Sequence, residues 1–293
     1  MPDRPDSIIF HIGVHKTATS HLQRCLQRAR DPLAAAGVAY RGPADLRLPG
    51  QSLPARFGFG KHTQKGIAPV QALAAMAEGA QRLVLSEENF IGPLLRRPRD
   101  AETPRYADAG ARLAQLAAAL GQEVDVCMAI RHPLGFLTAA YSQSLIAGQI
   151  MPPQRFQRLN SASAVRWVDL ADAVRQAAGV RSVTLWRYED YQPLFPQIMT
   201  ALVGPAASHV AYVDRYIHRG LSEAAVAAVL HRNKADGLNL TGQAARELHP
   251  VSDQHPAFSG YDADALAMAD QGYAATCDRI AAMQGITFLR PGA

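Results

Sequence analysis

The segment Ile8-Ile9-Phe10-His11-Ile12-Gly13-Val14-His15-Lys16-Thr17-Ala18-Thr19-Ser20 constrains the fold more than any other part of the chain. Ile8 to Ile12 is an apolar run of strand length, and it stops at Gly13. A short loop follows with one lysine and three hydroxyls, Thr17, Thr19 and Ser20. Leu22, Cys25, Leu26, Ala29 and Leu33 then fall at helical spacing. A buried strand that turns through such a loop into a helix aims backbone N–H groups and a helix N-terminus at an anion. Lys16 adds a point charge suited to a phosphate oxygen. The plainer alternative is a solvated Lys16 with Thr19 or Ser20 merely capping the helix.

The pattern repeats along the chain. Strands are expected at Ile8–Ile12, Val38–Tyr40, Arg82–Ser86, Val124–Ile130 and Val183–Trp186. Helices are expected at Ser20–Ala36, Val70–Ala80, Pro104–Leu120, Leu134–Ala147, Ala164–Ala178, Tyr191–Val203, Ser222–Arg232 and Ala263–Met283. Alternating strands and helices predict an α/β fold, with helices on both faces of a mostly parallel central sheet. At 293 residues the expectation is one domain over 1–293, mainly helical from about 204. Two proline-containing stretches, 41–66, which is also rich in Gly, and the shorter 149–163, show little periodicity. They read either as binding loops or as surface excursions. Lys61, His62 and Lys65 in the first could meet a ligand.

A formal charge of +5 suits an anionic ligand, but the basic residues are scattered and predict no nucleic-acid stripe. Cys25, Cys127 and Cys277 are too few and too widely spaced for a disulfide framework or a zinc site, and no metal is expected. Residues 1–6 read as a polar lead and not as a signal peptide. No apolar run approaches the roughly 20 residues of a membrane span. The expected location is the cytoplasm.

Ligands of parallel sheets collect at the carboxyl ends of strands. That rule directs attention to four places. The first is the Lys16 loop. It is not a Walker A motif, because Phe10 and His15 stand where that motif needs glycines. The second is Arg131-His132-Pro133, where a forked, permanently charged guanidinium ends an apolar strand and a helix begins. Arg131 can hold a phosphate or pair with a carboxylate such as Glu189. The third is Ser86-Glu87-Glu88-Asn89, two acids after a buried strand. They can act as a base, cap the next helix, or pair with Arg82, Lys16 or Arg131. Like-charge repulsion from Glu87 is expected to raise the Glu88 pKa. The fourth is Arg187-Tyr188-Glu189-Asp190, where Tyr188 and Glu189 read as mainly structural and Arg187 is open to a site role.

The series Gly13, His15, Lys16, Thr17, Ala18, Thr19, Ser20, Leu22, Gln23 resembles the 5′-phosphosulfate-binding loop of the sulfotransferase family. Arg131, Tyr141 and Gln143 are similar to its 3′-phosphate element, although Ala139 stands where that element has serine. Thr138, the neighbouring hydroxyl, points about 100° away on a helix, and Ser142 lies about 4.5 Å further along the axis. Ser86, Glu88 and Phe90 match the family's Ser-Ser-Glu-aromatic segment. The resemblance implies a P-loop-like three-layer fold and sulfuryl transfer from 3′-phosphoadenosine 5′-phosphosulfate (PAPS) to a hydroxyl or amine. The acceptor class stays open between carbohydrate, lipid and small molecule. It implies donor contacts from Gly13, His15, Lys16, Thr17, Ala18, Thr19, Ser20, Arg131, Thr138 and Arg219. It implies catalytic roles for Lys16 and for Glu88 as general base, with His15 or His11 as alternative bases. A nucleotide kinase or NTPase, or a nucleotide-binding protein without catalysis, remains the alternative.

Overall fold

The computed structural model describes residues 4–58, 69–95, 103–214, 220–235 and 240–292. Lys61, His62, Lys65 and Arg219 lie outside the described residues. Strands β1 (Ser7–Gly13), β2 (Val38–Arg41), β3 (Arg82–Ser86), β4 (Val124–Ile130), β5 (Val180–Arg187) and β6 (Ile286–Phe288) form one parallel sheet, ordered β2-β3-β1-β4-β5-β6.

Both faces of the sheet are buried, and β1 shows why its sequence is almost continuously apolar. Ile8, Phe10 and Ile12 face one way, with Leu83, Leu85, Val126 and Met128, under helices Ala109–Leu120 and Trp167–Arg175. Ile9 faces the other way, with Val84, Cys127, Ala129 and Trp186, under helices Thr19–Arg28 and Phe195–Val203. The expected α/β architecture with helices on both faces is what forms. A third cluster packs Leu221, Val226, Val229 and Ala245 against Tyr141 and Leu145 of helix Pro133–Ile146. Ser222 caps the helix that follows it, its hydroxyl accepting from the Ala225 amide at 3.1 Å. All three cysteines are buried and free. No helix among the described residues is long and apolar enough to cross a membrane.

The departures from the sequence reading have local causes. The helix expected over Ser20–Ala36 breaks at Ala29 into Thr19–Arg28 and Arg30–Ala35. Pro32 has no N–H for the Arg28 carbonyl, and its ring would clash with it, but it fits a first turn. Three short helices occupy the stretches read as irregular: Pro43–Leu46, Leu53–Phe57 and Pro153–Leu159, each with proline in its first turn. They are too short to show periodicity. The same holds for the three-residue edge strand β6.

The chain leaves β1 toward β2 on one side of the sheet and leaves β4 toward β5 on the other. The crevice between these neighbouring strands is therefore the topological switch point, where ligands of open parallel sheets bind. The Lys16 loop and Arg131 stand on its two sides.

Candidate functional site

The loop after β1 is held in an unusual backbone shape. The β1–β4 register slips between His11 and Gly13, and Gly13 takes φ 84°. Lys16 (φ 64°) and Ala18 (φ 61°) are left-handed without being glycine. Alternation of left- and right-handed residues turns successive N–H groups toward one concavity, an anion nest. Among the described residues the amides of Lys16, Ala18, Thr19 and Ser20 have no hydrogen-bond partner. Thr17 and Thr19 each donate a hydroxyl proton to the Val14 carbonyl, at 2.6 and 3.2 Å, and so brace the loop from inside. Ala18 is the helix N-cap and offers no side-chain cap, and Ser20 is exposed. The capping role open to Thr19 or Ser20 is therefore not what forms.

A left-handed alanine costs about 1–2 kcal/mol relative to a right-handed one, and glycine escapes that cost. Ala18→Gly is therefore expected to stabilise the fold by about 1 kcal/mol, after the entropy that glycine adds to the unfolded chain. Urea denaturation measures it, and a lower midpoint would contradict the strained loop.

Two half-buried cations meet over the crevice. Lys16 Nζ donates to Gln143 Oε1 at 3.2 Å. Burial pushes its pKa down to about 8, helped by the positive charges of Arg131 and Arg246 and opposed by Glu88. Arg131 Nη1 donates to the Lys16 carbonyl at 2.7 Å. Its guanidinium lies 4.2 Å from the Tyr188 ring centroid, and Trp167 Nε1 donates to its carbonyl at 2.7 Å. Burial lowers the Arg131 pKa against the pull of Tyr188, Glu189 and Tyr273. Glu189 does not pair with it: one oxygen accepts from the His132 amide at 2.9 Å, the other from Tyr273 OH at 3.0 Å. Among the described residues, neither Lys16 nor Arg131 has a salt-bridge partner.

The two acids after β3 lie against this loop. A Cβ on Gly13 would stand 2.8 Å from Glu88 Cβ, so glycine is needed there for contact as well as for φ. Arg47 forks onto Glu87 through Nε and Nη2, both at 2.8 Å, and Nη2 also reaches Glu88 Oε1 at 2.7 Å. Gln23 Nε2 donates to Glu88 Oε2 at 3.0 Å. Glu87 also accepts from the Asn89 amide at 3.0 Å, capping the turn Glu88–Ile91. The expected rise in the Glu88 pKa is corrected. Burial does push it up, but the Arg47 hydrogen bond and charge, with Gln23, hold it below its ordinary value. Repulsion from Glu87 is neutralised by the arginine between them.

His15 and His11 are buried. His15 Nδ1 lies 2.9 Å from Tyr106 OH and Nε2 3.1 Å from Asn89 Oδ1, so both ring nitrogens are occupied. Burial lowers its pKa against the Asn89 bond and the charges of Glu88 and Glu87. His11 Nδ1 lies 2.8 Å from Ser86 Oγ, with its ring stacked on Trp186. Burial lowers it to about 4, opposed by Glu88. The unfolded chain binds that proton near pH 6.5 and the folded one does not. Stability is thus full above about pH 6.5 and falls toward pH 4, by up to about 3 kcal/mol from this residue. Urea midpoints across that window are expected to fall less steeply in His11→Gln than in the parent.

The Thr138 hydroxyl donates to the Ser259 carbonyl at 2.5 Å. Arg187 is tied to Asp190 at 2.6 and 2.8 Å. Sequence reasoning missed Arg47, which carried no motif signal, and Tyr188, which it read as structural. Gln23 and Gln143 stood in the motifs without a role assigned to them. A separate open cleft of about 490 Å³, lined by Cys25, Arg28, Pro32 and Tyr212 among others, touches neither the Lys16 loop nor Glu87 and Glu88.

No protein-family model matches the chain, and no curated protein matches it in sequence. Three solved structures are similar to it. A sulfotransferase from Alicyclobacillus acidocaldarius is 12% identical, with TM-score 0.44, over 74% of this chain and 87% of that one. Mouse sulfotransferase SULT7A1 complexed with PAP is 10% identical, with TM-score 0.38, over 96% and 86%. A retinol dehydratase in complex with retinol and PAP is 12% identical, with TM-score 0.35, over 99% and 84%.

Proposed function

We propose that the chain transfers a sulfuryl group from PAPS to a hydroxyl or amine of an acceptor. One observation carries the reading: Lys16 and Arg131 are half-buried, adjacent and without carboxylate partners among the described residues. Removing charge from water is costly unless an opposite charge compensates it. Two such cations beside unpaired loop amides suit a ligand with two anionic groups, as in an adenosine 3′,5′-bisphosphate (PAP) unit. The loop amides and Lys16 would hold its 5′ end and Arg131 its 3′-phosphate.

PAPS, when bound, supplies an activated sulfuryl group to the acceptor oxygen or nitrogen. The rest of the work falls to the protein. The nest and Arg131 fix the donor's orientation. Lys16 Nζ neutralises charge developing on the leaving phosphate oxygen. Glu88, ionised, takes the acceptor proton. His15 has both ring nitrogens committed to Tyr106 and Asn89, and the buried His11 has Nδ1 committed to Ser86, which favours Glu88 over them.

A second reading, nucleotide binding without transfer, draws on the donors that already occupy both Glu88 oxygens. Calorimetry with PAP combined with a screen of hydroxyl and amine acceptors against labelled donor separates the two. Binding with transfer supports the proposal, and binding alone supports the second reading. Mg²⁺-dependent phosphate release from ATP, with no affinity for PAP, would replace both with a kinase or NTPase.

A further inference from the structure

We propose that Arg47 is the positioning residue of this reaction, clamping the Glu88 carboxylate in place beside the Lys16 loop. The inference rests on the sulfuryl-transfer reading and deepens it by naming what equips the base.

The clamp is built from a stretch that the sequence showed only as Pro-rich and aperiodic. Helix Pro43–Leu46 follows β2 and is fastened at both ends. Asp45 accepts from the Gly42 amide at 3.1 Å and from Arg30 Nη2 at 3.0 Å, and Leu46 is buried in the core. Strands β2 and β3 are neighbours, so the next residue, Arg47, stands over the carboxyl end of β3. Its guanidinium then divides its work. The Nε–Nη2 edge takes both oxygens of Glu87, a bidentate pair that fixes the plane of the fork. The second Nη2 hydrogen reaches Glu88. Glu87 is thus the anchor, Arg47 the arm and Glu88 the load.

The arrangement leaves Glu88 usable. One side-chain donor reaches each of its oxygens, Arg47 on Oε1 and Gln23 on Oε2, and its own amide also bears on the carboxylate. An ionised carboxylate has about four acceptor sites, so a place remains for an acceptor hydroxyl. Without the guanidinium, two neighbouring carboxylates would face each other in a poorly hydrated corner, and one would take up a proton. A protonated Glu88 cannot be a base.

The other charged and titratable groups around Glu88 are Glu87 beside it, His11 on β1, His15 and Lys16 in the loop, and Tyr40 on β2. His11 and His15 are neutral through burial, and burial also keeps Tyr40 protonated. Lys16 contributes a positive charge below about pH 8. Arg47 is the charged group in hydrogen-bond contact with Glu88.

The test uses Arg47→Gln and Arg47→Lys in the full chain, with two readouts. One is the midpoint of the Glu88 carboxyl by ¹³C NMR, its resonance identified with Glu88→Gln. The other is the acid limb of kcat/KM for transfer from labelled PAPS. In Arg47→Gln both are expected to move up together by about one to two pH units, with PAP affinity within about twofold of the parent. Arg47→Lys is expected to restore part of the shift, and it serves alone should the glutamine variant not fold. An unmoved Glu88 midpoint overturns the role. So does a moved midpoint with a stationary limb, or a glutamine variant faster than the parent. A parent that binds PAP but transfers to no acceptor sinks the transfer reading and this role together. An active parent with an unmoved limb sinks this role alone.

Discussion

Lys16→Ala is expected to lower kcat for sulfuryl transfer by about a hundredfold to a thousandfold, the range for losing one preorganised donor to a developing oxyanion. That corresponds to about 3 to 4 kcal/mol of transition-state stabilisation. The same variant carries a pH signature. The Lys16 pKa is about 8, so the parent holds the ammonium form at neutral pH and loses it as pH rises. The parent's kcat/KM is therefore expected to fall above about pH 8, toward tenfold per pH unit, and the alanine variant to lack that limb. Because among the described residues Nζ bonds only a neutral amide, Gln143, the substitution strands no carboxylate there in an ion pair, and the fold should tolerate it. Transfer from labelled donor, measured from pH 6 to 9, decides the matter. A variant within tenfold of the parent at pH 7 would remove Lys16 from the mechanism.

Arg131→Ala is expected to weaken PAP binding by about a hundredfold, or about 3 kcal/mol by calorimetry. Two losses combine there. On the proposed reading the guanidinium would be the charged partner for the second phosphate, and its Nη1 also restrains the left-handed Lys16 through the carbonyl. Arg131→Lys keeps a charge without the planar fork that stacks on Tyr188. It is expected to recover less than half of the lost binding energy. Unchanged affinity in the alanine variant would place the bisphosphate elsewhere.

The sheet was largely legible because its strands are buried on both faces. Arg82–Ser86 and Val124–Ile130 were readable to the residue, as apolar runs bounded by turns. The Lys16 loop was legible because its chemistry is local: lysine and hydroxyls crowd a single strand-to-helix turn. Arg131 was legible for the same reason, at the end of β4. What was hidden depends on contacts between distant parts of the chain. Arg47 lies 40 residues before Glu87, in a segment with no period, and only the adjacency of β2 and β3 brings them together. The effect on Glu88 was consequently misjudged, since adjacency of Glu87 was visible and the cation between them was not. Thr138 is a similar case, its hydroxyl satisfied by Ser259, 121 residues away.

The missing side chain at residue 13 has a mechanical consequence. The first strand's exit and the third strand's terminus touch there with no room for a methyl group. Alanine at that position would act as a wedge, prying Glu88 from the Lys16 loop even with every charged group intact. The spacing between carboxylate and ammonium is thus set by a hydrogen atom, and engineering that remodels either loop must treat the pair as one part.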